Sequence, residues 1–124
     1  MKKTLAAVLA AGALLIGGIG SVDAANWYTV GTDSNGITWS IDNDSVKKDD
    51  KKAVMDIKAM DYEGYHYIVT EEFNHKKREV KDLKVTLYNP QGYVVKEEQP
   101  NKSSRKVEPG TPAQAVFQLI WGGK

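Results

Sequence analysis

From residue 26 onward, apolar and polar side chains alternate with a period of two, and only the last segment changes to a helical period. NWYTV (26–30) predicts a short strand, and the Asn35-Gly36 turn signal follows it. Ile37, Trp39 and Ile41 then share one face of the next strand, with Thr38 and Ser40 on the other. Ala53, Met55, Ile57 and Ala59 repeat the pattern. After a reversal at Tyr62-Glu63-Gly64-Tyr65, the run YHYIVTEEF (65–73) is rich in aromatic and β-branched residues. Leu83, Val85 and Leu87 alternate with Asp82, Lys84 and Thr86, and Asn89-Pro90-Gln91-Gly92 makes a β-turn into GYVVKEE (92–98). Turns this short join antiparallel neighbours.

The final segment places Ala113, Val116, Phe117, Ile120 and Trp121 at the spacing of one apolar helix face. Thr111, Pro112 and Gln114 supply an N-cap, a proline at the first helical position and a capping box, and Gly122 ends the helix. A helix of about ten residues is marginal alone in water, so its stripe must lie on the sheet. The expected fold is α+β and mostly β: a single antiparallel sheet of about six strands, with a C-terminal helix over 112–121 packed on one face. Ile37, Trp39, Ile41, Met55, Ile57, Leu83, Val85, Leu87, Val116, Phe117 and Ile120 are the expected core. Residues 99–110 read as a polar connector with room for one short strand, and residues 47–52 as a solvated loop.

The start of the chain changes the picture of location. Met-Lys-Lys, an apolar run from Leu5 to Gly20 broken by Gly12, Gly17, Gly18 and Gly20, and small residues at Val22 and Ala24 match a cleaved secretory signal peptide. Residues 1–24 are therefore expected to be removed, leaving one domain over 25–124 in the periplasm, at the cell surface or outside the cell. No segment of that mature chain is apolar and long enough to be expected to span a membrane. The sequence has 17 basic and 16 acidic residues; removing Lys2, Lys3 and Asp23 leaves 15 of each. A balanced chain argues against nucleic acid as the partner, because that binding rests on neutralised phosphates. Cysteine is absent, so no disulfide supports this small exported domain.

Candidate chemistry is sparse. In ITWSIDNDS (37–45), Asp42 and Asp44 could open a calcium loop, but Val46, Lys47 and Ala53 occupy the fifth, sixth and twelfth positions. The stretch reads instead as a strand end turning on its own side-chain hydrogen bonds. His66 and His75 lack the company of further ligands at metal-binding spacing. A thiol, a nucleophile elbow and a phosphate loop are all missing from the pattern. Glu71 and Glu72 face opposite sides of one strand. We therefore expect a protein that is not an enzyme and uses no cofactor and no metal.

The N-terminal Trp-Tyr strand, the aromatic strand running into Asp42-Asn43-Asp44-Ser45-Val46, the lysine-rich loop, YNPQGYVV (88–95) and Pro109-Gly110-Thr111 together resemble the surface-adhesin protein E-like domain family. The resemblance covers most of residues 26–121. It implies a small antiparallel sheet with a C-terminal helix in an exported bacterial protein, and binding of host matrix or serum proteins. Members commonly tie helix to sheet with a disulfide; here His75 stands where the resemblance would put the sheet cysteine.

Two surfaces follow as candidates for contact. Lys76, Lys77, Arg78 and Lys81 form a basic run that could attract an anionic glycan or an acidic protein. Tyr62, Tyr65, Tyr67 and Tyr93 exceed what a small core needs, and tyrosine is enriched in protein-binding patches. The expected function is an exported, non-enzymatic binding module contacting protein or glycan partners outside the cell. The alternative is a periplasmic envelope protein that binds a small ligand or another envelope component.

Overall fold

The computed structural model describes residues 25–122; the expected signal peptide and its cleavage site lie outside them. Among the described residues, eight strands form one antiparallel sheet: β1 (Trp27–Thr32), β2 (Thr38–Asp42), β3 (Lys47–Lys48), β4 (Lys52–Met60), β5 (His66–Asn74), β6 (Glu79–Tyr88), β7 (Val94–Glu98) and β8 (Arg105–Lys106). The six longer strands run in the order β1–β2–β4–β5–β6–β7, while β3 pairs with β4 and β8 with β6. The predicted loop at 47–52 is thus partly strand, because Lys47 and Lys48 extend the line of β2 along Val54 and Ala53. One α-helix among the described residues, α1 (Pro112–Trp121), packs on the sheet. No helix among the described residues is long and apolar enough to cross a membrane.

Three hairpins turn at one end of the sheet, and they share one device. Asp33, Asp61 and Asn89 each use a side-chain Oδ1 to accept the N–H two residues on (Asn35, Glu63, Gln91) and the N–H four residues on (Ile37, Tyr65, Tyr93). Glycine stands three residues after each, at Gly36, Gly64 and Gly92, with φ of 81°, 95° and 88°. Only glycine takes that left-handed backbone without steric penalty. Gly64 carries a second constraint: a Cβ there would meet Pro90 Cβ at 3.1 Å, so the β4–β5 and β6–β7 turns lie against each other.

The core lies between α1 and one sheet face. Ile41, Ala53, Met55, Ile57, Phe73 and Val80 from the strands, with Val107, Val116, Phe117 and Ile120, are buried. Leu83, Val85, Leu87, Ile37 and Trp39 are only partly buried, against expectation, though Trp39 packs against the core. The reason in β6 is a bulge. Glu71 pairs with Asp82 but Thr70 pairs with Lys84, which leaves Leu83 as the extra residue and moves the inward positions from 80 and 82 to 85 and 87. Val85 and Leu87 do share the helix face, yet they lie beyond the reach of α1.

The helix begins and ends as its sequence dictates. Thr111 caps it by accepting from Gln114 N, and Gly122 closes it at φ 67°. The Gln114 side chain reaches one residue further back than a capping box requires, accepting from Gly110 N at 2.8 Å. Docking is aromatic. Phe117 meets Phe73 edge-on at 6.5 Å and Trp121 at 4.9 Å, while His75 stacks flat on Trp121 at 4.3 Å with an interplanar angle of 2°. Arg78, the one non-glycine described residue in the left-handed region, lays its guanidinium 4.5 Å from the Phe117 ring centre. Two hydrogen bonds fix the helix end: Trp121 Nε1 donates to Asp49 O, and Lys48 Nζ donates to Ile120 O.

Truncating Phe117 to Ala should therefore cost about 3–5 kcal/mol, the range for a buried aromatic. Truncating His75 should cost less, about 0.5–1.5 kcal/mol for its ring contacts. Urea denaturation measures both. A Phe117→Ala protein that unfolds together with the parent would show that this ring is not what docks the helix.

Candidate functional site

Helix α1 covers only part of its sheet face. At the end carrying the three Asx–glycine turns, the face is open and apolar. Ile37, Trp39, Ala59, Asp61, Tyr65, Tyr67 and Leu87 line a groove of about 480 Å³ there. The turn register explains the rim, because Ile37, Tyr65 and Tyr93 each follow a turn glycine and pair across it with Asp33, Asp61 and Asn89. Tyr62 is 90% exposed and Tyr93 72%, while Tyr65 and Tyr67 are nearly half exposed. The structure thus brings all four candidate tyrosines to one end of the molecule.

Two of the groove rings are held by their polar edges. Trp39 Nε1 donates to Asp33 Oδ2 at 2.9 Å, and the Tyr67 hydroxyl donates to Glu98 Oε2 at 3.0 Å. The first bond, with the backbone N–H groups of Ile37 and Asn35, holds the Asp33 carboxyl below its usual range. The second raises the Tyr67 phenol. What these rings offer a ligand is their faces.

The basic candidates are not brought together in the same way. Lys76 and Lys77 are exposed in the β5–β6 turn, Arg78 folds onto Phe117, and Lys81 lies on the opposite face, 3.7 Å from Glu72. The Lys77 carbonyl accepts from Lys106 Nζ at 3.1 Å. This turn stands at the other end of the sheet from the tyrosines. The nine residues of β5 between the two turns rise by roughly 30 Å.

A polar cluster missed by sequence reasoning adjoins the groove. Arg105 Nη2 lies 3.0 Å from Asp82 Oδ1 and 3.4 Å from Glu71 Oε2, with the two acid side chains 20% and 16% exposed. Burial and the hydrogen bond that its protonated form donates to the Asp82 carboxylate push the Glu71 carboxyl up to about 8, against the opposing pull of Arg105. Arg105 Nη1 is buried without a hydrogen-bond partner among the described residues, a cost of about 1–3 kcal/mol or more for such a group. Glu71 and Arg105 line a cavity of about 180 Å³ with Trp39, Ile57, Ala113 and Val116. Trp39 also lines a third cavity, of about 190 Å³, beside Gly31 and Thr111 at the helix start. Strand parity alone marks Glu71 as an acid among inward residues. Its pairing with Asp82 depends on the bulge at Leu83, which leaves no trace in the alternation.

The opposite face holds a second set of titratable groups. Lys58 Nζ sits 4.6 Å from the Trp27 ring centre, and burial lowers its amine to about 8. His66 is 3% exposed, stacked on Tyr88 at 5.3 Å and bonded through Nδ1 to Gly64 O; burial is the main cause lowering its pKa. Thr70 Oγ1 donates to Asp56 Oδ1 at 2.7 Å. Asp42, the acid of the opening turn, accepts from Asn26 N and Asp44 N at 3.0 Å each, which is the strand-ending role expected of it. No cluster of three His, Asp or Glu side chains able to hold a metal occurs among the described residues. Comparison with protein-family models and with curated proteins finds no match.

Glu71 and Lys58 give stability opposite slopes with pH. Glu71 binds its proton more tightly folded than unfolded, so its contribution is complete below about pH 4.3 and is lost as pH rises through 8. Lys58 binds its proton less tightly when folded, so stability recovers as pH climbs from 8 to about 10.4. Thermal midpoints measured across pH should show that Glu71→Gln flattens the lower limb and Lys58→Met the upper one. Curves parallel to the parent's would contradict both assignments.

Proposed function

We propose that this chain is an exported, non-enzymatic binding module of the surface-adhesin type, and that it makes contact through the tyrosine end of its sheet. The reading is supported by one observation above the rest: the open aromatic groove of Trp39, Tyr65 and Tyr67 beside the exposed Tyr62 and Tyr93. Large, stiff, amphipathic rings give contact area at small entropic cost, and such residues dominate the energetics of protein surfaces that bind. The basic turn is the weaker candidate, since Arg78 is committed to Phe117 and Lys81 to Glu72. Export rests on the leader, and the adhesive role on the resemblance of the strand, turn and helix motifs.

The test uses intact cells and a surface coated with extracellular matrix. Tyr65→Ala combined with Tyr67→Ala should lower adhesion at least tenfold, about 1.4 kcal/mol. Changing Lys76, Lys77, Arg78 and Lys81 to Gln should leave it within about twofold and should not alter its salt dependence. The reverse pattern would move the contact to the basic turn. Antibody labelling seen only after the envelope is opened would replace the external role by a periplasmic one.

A further inference from the structure

We propose that the free edge of β1 pairs with β1 of a second copy of this chain, antiparallel about a twofold axis at Tyr28. This interface is separate from the tyrosine end and does not rest on it.

Among the described residues β1 and β7 are the outer strands of the sheet, and their edges differ. β7 carries Lys96, Glu97 and Glu98 and a bulge at Val95, the charges and irregularity that discourage edge pairing. β1 reads WYTVGT, with no charge and no proline. Its own bulge falls at Val30, so residues 27–29 stay in regular register with β2.

That register fixes which backbone groups reach the edge. Asn43 N donates to Asn26 O at 2.9 Å, which makes Asn26 and Asn43 a hydrogen-bonded pair. Such pairs alternate along an antiparallel ladder. Tyr28 and Ile41 are then the next bonded pair, while Trp27 and Thr29 turn their N–H and C=O groups away from β2. No strand of the described residues takes these groups up. A copy centred on Tyr28 sets Trp27 opposite Thr29 of its mate, twice over. Both pairs are of the bonded kind, so all four groups of each copy find partners. Centred on Thr29, the copies would set Trp27 against Gly31 beyond the bulge. Centred on Trp27, they would set Thr29 against Ala25, outside the strand.

The side chains agree with the Tyr28 register. Tyr28 lies on the helix face opposite Ile41, is 48% exposed, and faces only Tyr28 of the mate. Beside it is a groove of about 340 Å³ between β1 and α1, lined by Tyr28, Ile41, Val46 and the half-exposed Leu119 among others. The mate's ring is brought to the side of this apolar groove. On the other face Trp27 meets Thr29, an aromatic and β-branched cross-strand pair. The nearby cations are already engaged: Lys48 donates to Ile120 O, and Lys58 lies over Trp27. A second copy is the occupant these features favour, because one set of residues supplies both sides of a twofold contact. The axis stands perpendicular to the sheet, so the tyrosine ends of the two copies point in opposite directions.

Sedimentation velocity of the purified protein, at low salt and rising concentration, should show a reversible dimer. Thr29→Pro removes an N–H that faces away from β2, and should weaken association at least tenfold. Tyr28→Lys and Tyr28→Glu each set like charges opposite one another and should weaken it as much. An equimolar mixture of those two variants should associate again, because opposite charges then face each other across the axis. Thermal melts check that each variant keeps the parent's fold; if Thr29→Pro does not, the half-exposed Tyr28 pair decides. A protein that stays monomeric at its highest soluble concentration overturns the proposal, whether or not an unrelated extended peptide binds the β1 edge. A dimer indifferent to the Tyr28 changes, or a mixture that does not recover, overturns it too. Adhesion through Tyr65 and Tyr67 is a separate readout, so either reading can fail alone.

Discussion

Phe117 is the point on which the arrangement of the sheet face depends. A ten-residue helix has little stability of its own, and this one begins after a polar connector and has no disulfide to hold it. Its attachment comes from one ring inserted between Phe73, His75 and Trp121, with the Arg78 guanidinium over it. The buried apolar area of Val116, Phe117 and Ile120 supplies several kcal/mol at ~25 cal/mol per Å². That matches the ~2–4 kcal/mol of a typical disulfide. His75 adds to this attachment by stacking on Trp121, without any covalent bond.

The length of that helix then determines where the sheet is left open. Ten residues span ~15 Å, about half the length of β5. The aromatic cluster fixes the helix C-terminus near the β5–β6 turn, so cover runs out at Trp39, where the helix begins. Beyond it lies the end with three hairpin turns. Hairpins β1–β2, β4–β5 and β6–β7 must turn at the same end of an antiparallel meander, and each uses the same Asx and glycine geometry. The residue after each glycine therefore falls on one row. Ile37, Tyr65 and Tyr93 stand at the same end of the sheet for that reason, each two strands from the next, although nearly thirty residues separate them along the chain. The lysines of the β5–β6 turn end up at the far pole by the same logic.

Most of the fold was legible because it rests on local signals. Alternation placed the six main strands, and the turn residues Asn35-Gly36, Glu63-Gly64 and Pro90-Gly92 placed their reversals. The change of period with its threonine cap placed the helix at residues 112–121. What failed was non-local. A one-residue bulge at Leu83 redirected β6, and the helix stopped short of Val85 and Leu87, so a correct pattern led to a partly wrong core. Phe73, Val80 and Val107 are core for the complementary reason, since they lie under the docked end of α1. The tyrosines were legible as a group by composition alone. Their groove was not, because the alternation places Trp39, Ile37 and Leu87 in a continuous core that the short helix does not complete.

The acid–arginine cluster sits at this boundary between covered and open sheet. Breaking a buried ion pair is costly, yet replacing the whole pair by apolar residues of equal volume is often neutral or stabilising. Glu71, Asp82 and Arg105 are therefore a poor choice if stability alone governed these positions, and the buried Nη1 without a partner makes them poorer. Arg105 does position the connector, where β8 pairs with Glu79 and Val80 and brings Val107 into the core. A lysine could supply that charge and, because the single Nη2 meets both acids, those contacts as well, but it lacks the second nitrogen, Nη1, which is buried here without a partner among the described residues. The features costly to folding thus adjoin Trp39, whose indole is fixed by Asp33 and which lines all three neighbouring cavities.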